Sequence, residues 1–391
     1  MAKRYDLVIA GGGPAGSAAA WKAARTGARV VVLDKAQFPR DKPCGDGLTP
    51  RAVSFIQKMG LAREIDKFHR LNRATIFSPT EWQLSFPRRP GMPDHGHGVR
   101  RCELDALLLA NAESAGAEVR QAAEVVGPLV DDDGRVTGVQ LKTGERVFAD
   151  AVIAADGAYS PIKRGLRLQS RYTGYSAIAI RAEMSASRPD SDSLDIHLKL
   201  RYRGDQLPGY GWVFPLGGGR VNIGLGYVNS YKNWHQINAA QFLGEFLASL
   251  PPEWDLPPID ELQKSKALQG WRLPMGFTAW PPWHRGVLFA GDALGAARPV
   301  SGAGISKALQ SGLAAGECAI AALTNGGPDD FTNYEQQIQS TWGNEYRRGR
   351  FFHKLAGIPA LTTAGLKLLD SVSHPGFRAR LLFWERTLSG S

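Results

Sequence analysis

Apolar positions along this chain follow three patterns, and each predicts a different element. Short, mostly apolar runs at 7–10, 28–33, 151–155 and 286–291 end at a glycine or an aspartate and read as buried strands of a parallel sheet. Stretches 15–26, 106–115, 239–250 and 305–323 have helical composition, and 52–68 reads as a surface helix with Val53, Ile56 and Leu61 on its apolar side. Alternating runs rich in Tyr, Trp and Val at 172–183, 194–202, 211–215 and 220–228 predict a mostly antiparallel sheet. Residues 71–86 alternate as well, with Ile76, Phe77, Trp82, Leu84 and Phe86 as candidates for the core face. Further strands are expected at 116–119 and 136–148, with a hairpin turn at 131–134. The last segment, 331–391, reads as helical, basic and aromatic.

The first strand runs into Gly11, Gly13 and Gly16, the G-x-G-x-x-G spacing of a dinucleotide-binding βαβ unit. Gly11 permits a tight turn, Gly13 lets a pyrophosphate approach the backbone, and Gly16 lets helix and strand pack closely. Pro14 suits a first helical turn, and Ala15 follows it at the phosphate-facing end. Asp34, with Lys35 beside it, closes the second strand about 20 residues on, where a carboxylate is wanted for ribose hydroxyls. Strand, turn, helix, strand and acid in that order predict an α/β fold with a Rossmann-like nucleotide-binding domain. Two later strands end similarly, at Asp156-Gly157 and at Gly291-Asp292. Helix 305–323 begins after Gly302-Ala303-Gly304, so Ile305 opens a helix whose free amides and dipole face whatever lies over them.

A length of 391 residues accommodates a nucleotide-binding domain with a large insertion. The expected division gives the nucleotide to 1–70, 98–170 and 271–330, a substrate to 71–97 and 171–270, and a helical region to 331–391. The three cysteines, Cys44, Cys102 and Cys318, are far apart; they argue against a disulfide framework or zinc cluster and suit a reducing cytoplasm. Asp6 and the glycine turn interrupt the N-terminal apolar run, so no signal peptide is expected, and no run approaches the ~18 residues of a spanning helix. A formal charge of +10 fits anionic lipid or phosphorylated small molecules as partners, or simply a solubilising surface. Basic residues are scattered without a DNA-binding motif, so nucleic acid is not expected. In the C-terminal region, Arg347, Arg348, Arg350, Phe351, Phe352, Lys354, Leu366, Lys367, Leu368, Phe377, Arg378, Arg380, Phe383 and Trp384 make either a packed helical cap or a membrane-surface face, which would place the protein on the inner side of the cell membrane.

Between the second strand and helix 52–68 lies a Pro- and Gly-rich loop in which Gly45 and Gly47 flank Asp46 and would let backbone approach something flat. Cys44 stands at its entrance and reads either as a reactive thiol or as a small buried hydrophobe. His95 and His97 sit in a Pro/Gly/His loop at 87–98. Spaced i, i+2 with no third ligand near in sequence, they read as solvated, and no metal site is predicted.

The order of the three glycine-acid turns resembles the FAD-dependent group related to p-hydroxybenzoate hydroxylase. That resemblance covers most of the chain to about 323. It implies that Gly11 to Gly16 hold the ADP moiety, that Asp156 and Gly157 lie near the cofactor, and that Gly291 and Asp292 bind the ribityl chain. It also implies that Arg101, in an Arg-x-x-Leu-Asp pattern, touches the flavin side chain or pyrophosphate. Two further stretches narrow the likeness to the geranylgeranyl reductase family, including actinobacterial members that reduce the prenyl tail of menaquinone. Residues 42–51, with Cys44 and Gly45, look like the family's Cys-Gly loop near the isoalloxazine. Tyr210-Gly-Trp212-Val-Phe214-Pro215, followed by Gly224-Leu-Gly226, resembles its Tyr-x-Trp-x-Phe-Pro…Gly-x-Gly motif. Family members often carry Gly-Glu-Gly where this chain has Gly302-Ala303-Gly304, and Lys163 stands where hydroxylases commonly have arginine.

The resemblance implies an FAD-dependent reductase that saturates C=C bonds of a hydrophobic prenyl lipid or quinone, re-reduced by NADPH or another reductant. Cys44, Tyr210 and Trp212 are then the catalytic candidates, and Tyr210, Trp212, Phe214, Pro215, Gly224 and Gly226 line the substrate. The alternatives are an FAD monooxygenase acting on an aromatic or hydrophobic substrate, a halogenase variant of it, and a prenyl-protein escort with no flavin.

Overall fold

Four apolar runs far apart in sequence become neighbouring strands of one sheet in this computed structural model, which describes residues 4–78, 81–86, 90–168, 174–187, 190–299, 301–325, 327 and 329–371. The chain forms two compact units, 1–42 with 101–175 and 273–349, and 43–100 with 176–272 and 350–391.

In the first unit the sheet order is Trp283–His284, Val287–Phe289, Arg146–Ala154, Arg4–Ala10, Val30–Leu33, Glu118–Arg120. Arg4–Ala10 runs parallel to both its neighbours, with Ala10 opposite Ala154 on one side and Leu33 on the other, and Ala154 in turn opposite Phe289. That register brings the ends of three strands level, so Asp34, Asp156 and Asp292, which follow them, stand along one carboxyl edge, where open α/β sheets bind ligands. Every residue from Leu7 to Ala10 and from Val30 to Leu33 is buried, as expected for a sheet covered on both faces. The helices Pro14–Ala24 and Ile305–Thr324 pack tightly on each other. A Cβ on Gly312 would stand 2.1 Å from the Ala15 carbonyl oxygen, and one on Gly316 would stand 2.6 Å from that of Ala19.

In the second unit the order is Gln269–Pro274, Ser176–Ser185, Arg220–Val228, Gly209–Gly217, Ser193–His197, Arg73–Phe77, Glu81–Ser85. Ser176–Ser185 on Arg220–Val228, Gly209–Gly217 on Arg220–Val228 and on Ser193–His197, and Arg73–Phe77 on Glu81–Ser85 are antiparallel, whereas Ser193–His197 runs parallel to Arg73–Phe77. Period-two alternation splits the two central strands cleanly. Val213, Val221, Ile223 and Leu225 bury against Phe242, Leu243 and Phe246 of the helix Ala239–Ala248, leaving Tyr210, Trp212, Phe214, Asn222, Gly224 and Gly226 on the opposite face. A separate three-stranded sheet joins Gly47–Leu48 and His69–Leu71 to Gly96–Gly98.

Several expectations need correction. Residues 43–70 belong with the second unit, because Gly47–Leu48 pairs with Gly96–Gly98. Residues 331–349 belong with the first, because Phe331, Tyr334, Ile338, Trp342 and Tyr346 are buried in its core. The helix expected at 52–68 is two, Pro50–Lys58 and Ala62–Ile65, divided at Gly60 with φ +86°. The strand expected at 136–148 is a hairpin, Val136–Leu141 and Arg146–Ala154, turned at Gly144 with φ +90°. Arg101 opens the helix Arg101–Ser114 rather than preceding it. Phe77 points away from the core formed by Ile76, Leu84 and Phe86 and stacks on His197 at 4.4 Å. The Trp82 side chain and Phe377, Arg378, Arg380, Phe383 and Trp384 lie outside the described residues. Among the described residues no helix is long and apolar enough to cross a membrane.

Candidate active site

At the carboxyl edge of the first unit, two helices begin without side-chain caps. Gly13, in extended backbone, is the N-cap of Pro14–Ala24, and Gly304, in helical backbone, that of Ile305–Thr324, and neither contributes a side-chain capping hydrogen bond. Their first amides are therefore available to an anion or a carbonyl oxygen. Gly11 adopts φ +98°, where a Cβ would meet the Ala155 oxygen at 2.4 Å, and a Cβ on Gly16 would meet the Gly11 oxygen at 1.8 Å. Those two glycines are required by the protein's own backbone. Gly13 differs: the only neighbour a Cβ would find there is Arg40 Nη2 at 3.6 Å, so the space over the turn is open and carries positive charge.

Around this edge the acids have distinct partners. Asp34 accepts from the Gly12 amide at 2.7 Å through Oδ2 and from the Ala36 amide at 2.8 Å through Oδ1; each oxygen keeps acceptor capacity for a ribose hydroxyl. Lys35 beside it is exposed. Asp292 pairs with Lys42 at 2.9 Å. Burial alone would raise its carboxyl, but the Lys42 charge and hydrogen bond, with Arg101 and Lys163 behind them, outweigh it and hold it below the usual range. Asp156 accepts weakly from the Ile162 amide at 3.4 Å, and its buried Oδ1 has no hydrogen-bond partner. Burial pushes this carboxyl up to about 6. Gly157 follows it at φ +84° with open space where a Cβ would stand. Lys163 donates to Thr278 Oγ1 at 3.3 Å and to the Ala293 oxygen at 3.2 Å, and burial lowers its pKa.

Arg101 forks onto Asp105 through Nε at 2.7 Å and Nη2 at 2.6 Å, and Arg40 forms an ion pair with the same carboxylate at 2.8 Å. The loop at 298–304 is held by charge as well. Arg298 and the buried Lys307 both reach Glu345, at 2.6 and 3.2 Å, and Lys307 lies 4.6 Å from the Trp342 ring. Gly302 in that loop takes φ +67°.

The second unit carries an aromatic wall. Tyr210, Trp212 and Phe214 follow one another along one strand face, with ring centroids 6.0 and 6.2 Å apart. Trp212 lies opposite Gly224, where a Cβ would stand 2.4 Å from its Cζ2, and Gly226 leaves room beyond it. These glycines seat the indole. Trp212 Nε1 donates to Asn222 Oδ1 at 2.8 Å, and Asn222 Nδ2 donates at 2.8 Å to both the Cys44 carbonyl and Asp46 Oδ2. One fully buried amide thus ties the indole to the Cys-Gly loop. Gly45 and Gly47 lie against the rings: a Cβ on Gly45 would stand 3.2 Å from Phe214, and one on Gly47 would stand 3.1 Å from it. Pro215 continues the strand, and its carbonyl allows only glycine at 98, where a Cβ would stand 2.0 Å away. Burial, with Cys44 nearby adding to it, pushes the Tyr210 phenol up to about 12.

Residues 4–341 match the family described as FAD binding domain. The chain is 38% identical to a menaquinone reductase from Mycolicibacterium smegmatis, covering 85% of this chain and 80% of the relative. It is 30% identical to digeranylgeranylglycerophospholipid reductase 1 from Methanopyrus kandleri, covering 88% and 87%. A crystal structure of a geranylgeranyl bacteriochlorophyll reductase-like protein from Thermoplasma acidophilum superposes with a TM-score of 0.81 over 98% of both chains, at 24% identity.

The chain belongs to the FAD binding domain family and is an FAD-dependent oxidoreductase of the geranylgeranyl reductase type.

The carboxyl edge of the reductase fits that cofactor on its own geometry: two uncapped helix starts, an open glycine turn beside Arg40, and a buried Asp156 oxygen awaiting a donor. Sequence reasoning missed three residues here. Arg40 lay in a Pro-rich loop with no motif, Asn222 is one polar residue within an alternating strand, and Glu345 lies far from the loop it anchors. Only Asn222 left a trace, as an amide in a position otherwise taken by glycine on that face.

His95 and His97 are also misplaced by the sequence. Both are buried, at 8% and 1% exposure, since His97 lies in a strand paired on both sides. Asp66 lies close to both, so a third ligand-bearing side chain is present.

Proposed function

We propose that the reductase saturates C=C bonds of a polyprenyl chain, on a geranylgeranyl lipid or an isoprenoid quinone, with NADPH or another soluble reductant as the electron source. The aromatic wall carries this reading: an apolar chain with few polar handles is bound by shape and burial, and Tyr210, Trp212 and Phe214 offer a continuous face for it. The menaquinone reductase likeness supports a quinone tail as the first substrate to try. Bound and reduced, FAD supplies a hydride to one carbon of the double bond.

The protein's own residues have three tasks. The helix starts at Pro14 and Ile305, with Arg40, would hold the pyrophosphate and an electron-rich ring edge, and Asp34, Asp156 and Asp292 would accept hydrogen bonds from hydroxyls of the cofactor. Trp212, seated by Gly224 and tied by Asn222, positions the chain. Tyr210 holds its proton at Oη, with a pKa pushed up to about 12, and one donor, Tyr210, the Cys44 thiol or a bound water, provides the proton for the second carbon. A membrane-surface face at 350–371 completes the proposal.

The test is a product mass. Anaerobic incubation of the FAD-loaded, chemically reduced protein with menaquinone or geranylgeranyl lipid should add two hydrogens per turnover. No mass gain with any prenyl substrate, or uptake of labelled oxygen into an aromatic one in air, overturns the reading in favour of a monooxygenase.

A further inference from the structure

Away from the aromatic wall, Asp66, His95 and His97 converge from three pieces of chain: the C-cap of the helix Ala62–Ile65, the approach to the strand Gly96–Gly98, and that strand itself. Their ligand atoms lie within 4.8 Å of one another. The two imidazoles meet edge to face with centroids 5.2 Å apart. His95 Nε2 is 3.9 Å and His97 Nε2 3.7 Å from Asp66 Oδ1.

What separates this group from ordinary core histidines is where their hydrogen bonds go. His97 Nδ1 lies 3.2 Å from the Phe68 carbonyl oxygen, which can only accept, so Nδ1 carries the proton and Nε2 presents a lone pair. His95 Nδ1 lies 3.3 Å from Asp94 Oδ1, with the same consequence. Both Nε2 atoms are buried and have no hydrogen-bond partner, an arrangement that costs free energy unless something accepts those lone pairs. A carbonyl or carboxylate behind each ligating imidazole, fixing its tautomer, is the outer shell that metal-bound histidines carry.

We propose that Asp66, His95 and His97 bind one divalent transition-metal ion of the zinc class. Two imidazoles and one carboxylate select such an ion over the harder Mg²⁺ and Ca²⁺, which prefer all-oxygen sets. Tetrahedral zinc with bonds near 2.0–2.1 Å holds its ligand atoms roughly 3.3–3.5 Å apart, so the 3.7 and 3.9 Å separations close with a small turn of the Asp66 side chain. That side chain is 56% exposed, so it is free to turn and leaves the fourth position to water. Arg70, whose charge acts on His97, is engaged by Asp94 at 3.5 Å.

The ion braces a sheet that matters. His97 pairs with Leu48, and Val99 beyond it donates to the Asp46 carbonyl at 2.8 Å, so the strand bearing His97 holds the Cys-Gly loop in place. The site is independent of which prenyl substrate the reductase takes.

The experiment uses full-length, FAD-loaded protein stripped with EDTA, titrated with Zn²⁺ by calorimetry and read again by zinc-edge X-ray absorption. One ion per chain, two imidazole ligands and a rise in the unfolding midpoint of about 5 °C at a hundredfold excess are expected. Asp66→Asn and His95→Gln should each weaken binding by on the order of 100-fold, and Asp94→Asn by about tenfold, with FAD absorbance and the metal-free midpoint unchanged. Asp66 is exposed, so its variant stays informative if His95→Gln folds poorly. Absence of one-to-one uptake at 100 µM Zn²⁺, or uptake unchanged in Asp66→Asn, overturns the proposal.

Discussion

Asn222 is uncharged and fully buried, and its side-chain amide satisfies three groups at once: the Trp212 indole, the Cys44 carbonyl and the Asp46 carboxylate. Asn222→Ala removes one hydrogen bond from each of the three in a dry place, which costs about 1–3 kcal/mol per buried group before any relaxation. We expect the variant to keep its FAD absorbance, to lose about 2–4 kcal/mol in urea unfolding, and to turn over prenyl substrate at least ~10-fold more slowly. A variant with parental kcat/KM would show that the indole tether does not position substrate. Asp156 predicts a pH effect. Its folded pKa, about 6, lies above the ordinary carboxylate range, so its share of stability is present below pH ~4 and is lost as the pH rises through about 6. Asp156→Asn has no such loss. Its stability relative to the parent should therefore climb from pH 4 to pH 7 by roughly 2–3 kcal/mol in denaturant titrations, and a gap that stays flat would refute the raised carboxyl. At this scale the sequence discloses residues whose constraint is local. Gly11 and Gly16 are legible because a turn and a close approach are written into their neighbours. Arg40, Asn222 and Asp66 acquire their roles only when distant strands meet, and no spacing announces them.

Two glycines in the helix Ile305–Thr324 set how closely it lies on Pro14–Ala24. Gly312 and Gly316 face the Ala15 and Ala19 carbonyls, and what meets them is backbone, which cannot swing aside. Gly312→Ala must then separate two helices whose uncapped N-termini both open at the carboxyl edge of the sheet. We expect a loss of about 1–3 kcal/mol in stability and FAD binding weaker by roughly tenfold or more, measured by fluorescence on release of the flavin. An unchanged FAD affinity would mean that helix spacing is not what places those amides. Elements were legible where apolar runs had clear stops, as at the strands Arg4–Ala10, Val30–Leu33 and Arg220–Val228. The misreadings share a cause. At Gly60 and Gly144 the backbone turns through positive φ with only a short break in the apolar pattern, at Gly144 the polar run 142–146, so two elements were fused into one. His95 and His97 failed differently: a Pro- and Gly-rich neighbourhood suggested solvent, but pairing of Gly96–Gly98 on both sides buried them.

For the molecule as a whole, the formal charge of +10 becomes informative only beside apolar surface. Phe351, Phe352 and Leu368 are 60%, 54% and 67% exposed, and Lys354 and Lys367 stand exposed among them. Isolated exposed hydrophobes need no explanation, but rings and a leucine interleaved with lysines are what a membrane surface rewards: apolar groups enter the acyl boundary while ammonium groups meet anionic headgroups. The two contributions respond differently to salt. Electrostatic attraction fades as the screening length falls from about 10 Å at 0.1 M to about 3 Å at 1 M, whereas apolar insertion persists. The reductase should therefore pellet with phosphatidylglycerol vesicles at low salt, less so at 1 M, and poorly with neutral vesicles throughout. The triple variant Phe351→Ser, Phe352→Ser and Leu368→Ser should bind ~10-fold more weakly at every salt concentration while retaining its salt slope, because only the inserted area has been removed. Turnover of detergent-dispersed quinone should be unaffected, since the wall at Tyr210, Trp212 and Phe214 is untouched, whereas turnover of quinone embedded in vesicles should fall with binding. Parental protein that stays in the supernatant at low salt would assign these residues to contacts other than a membrane.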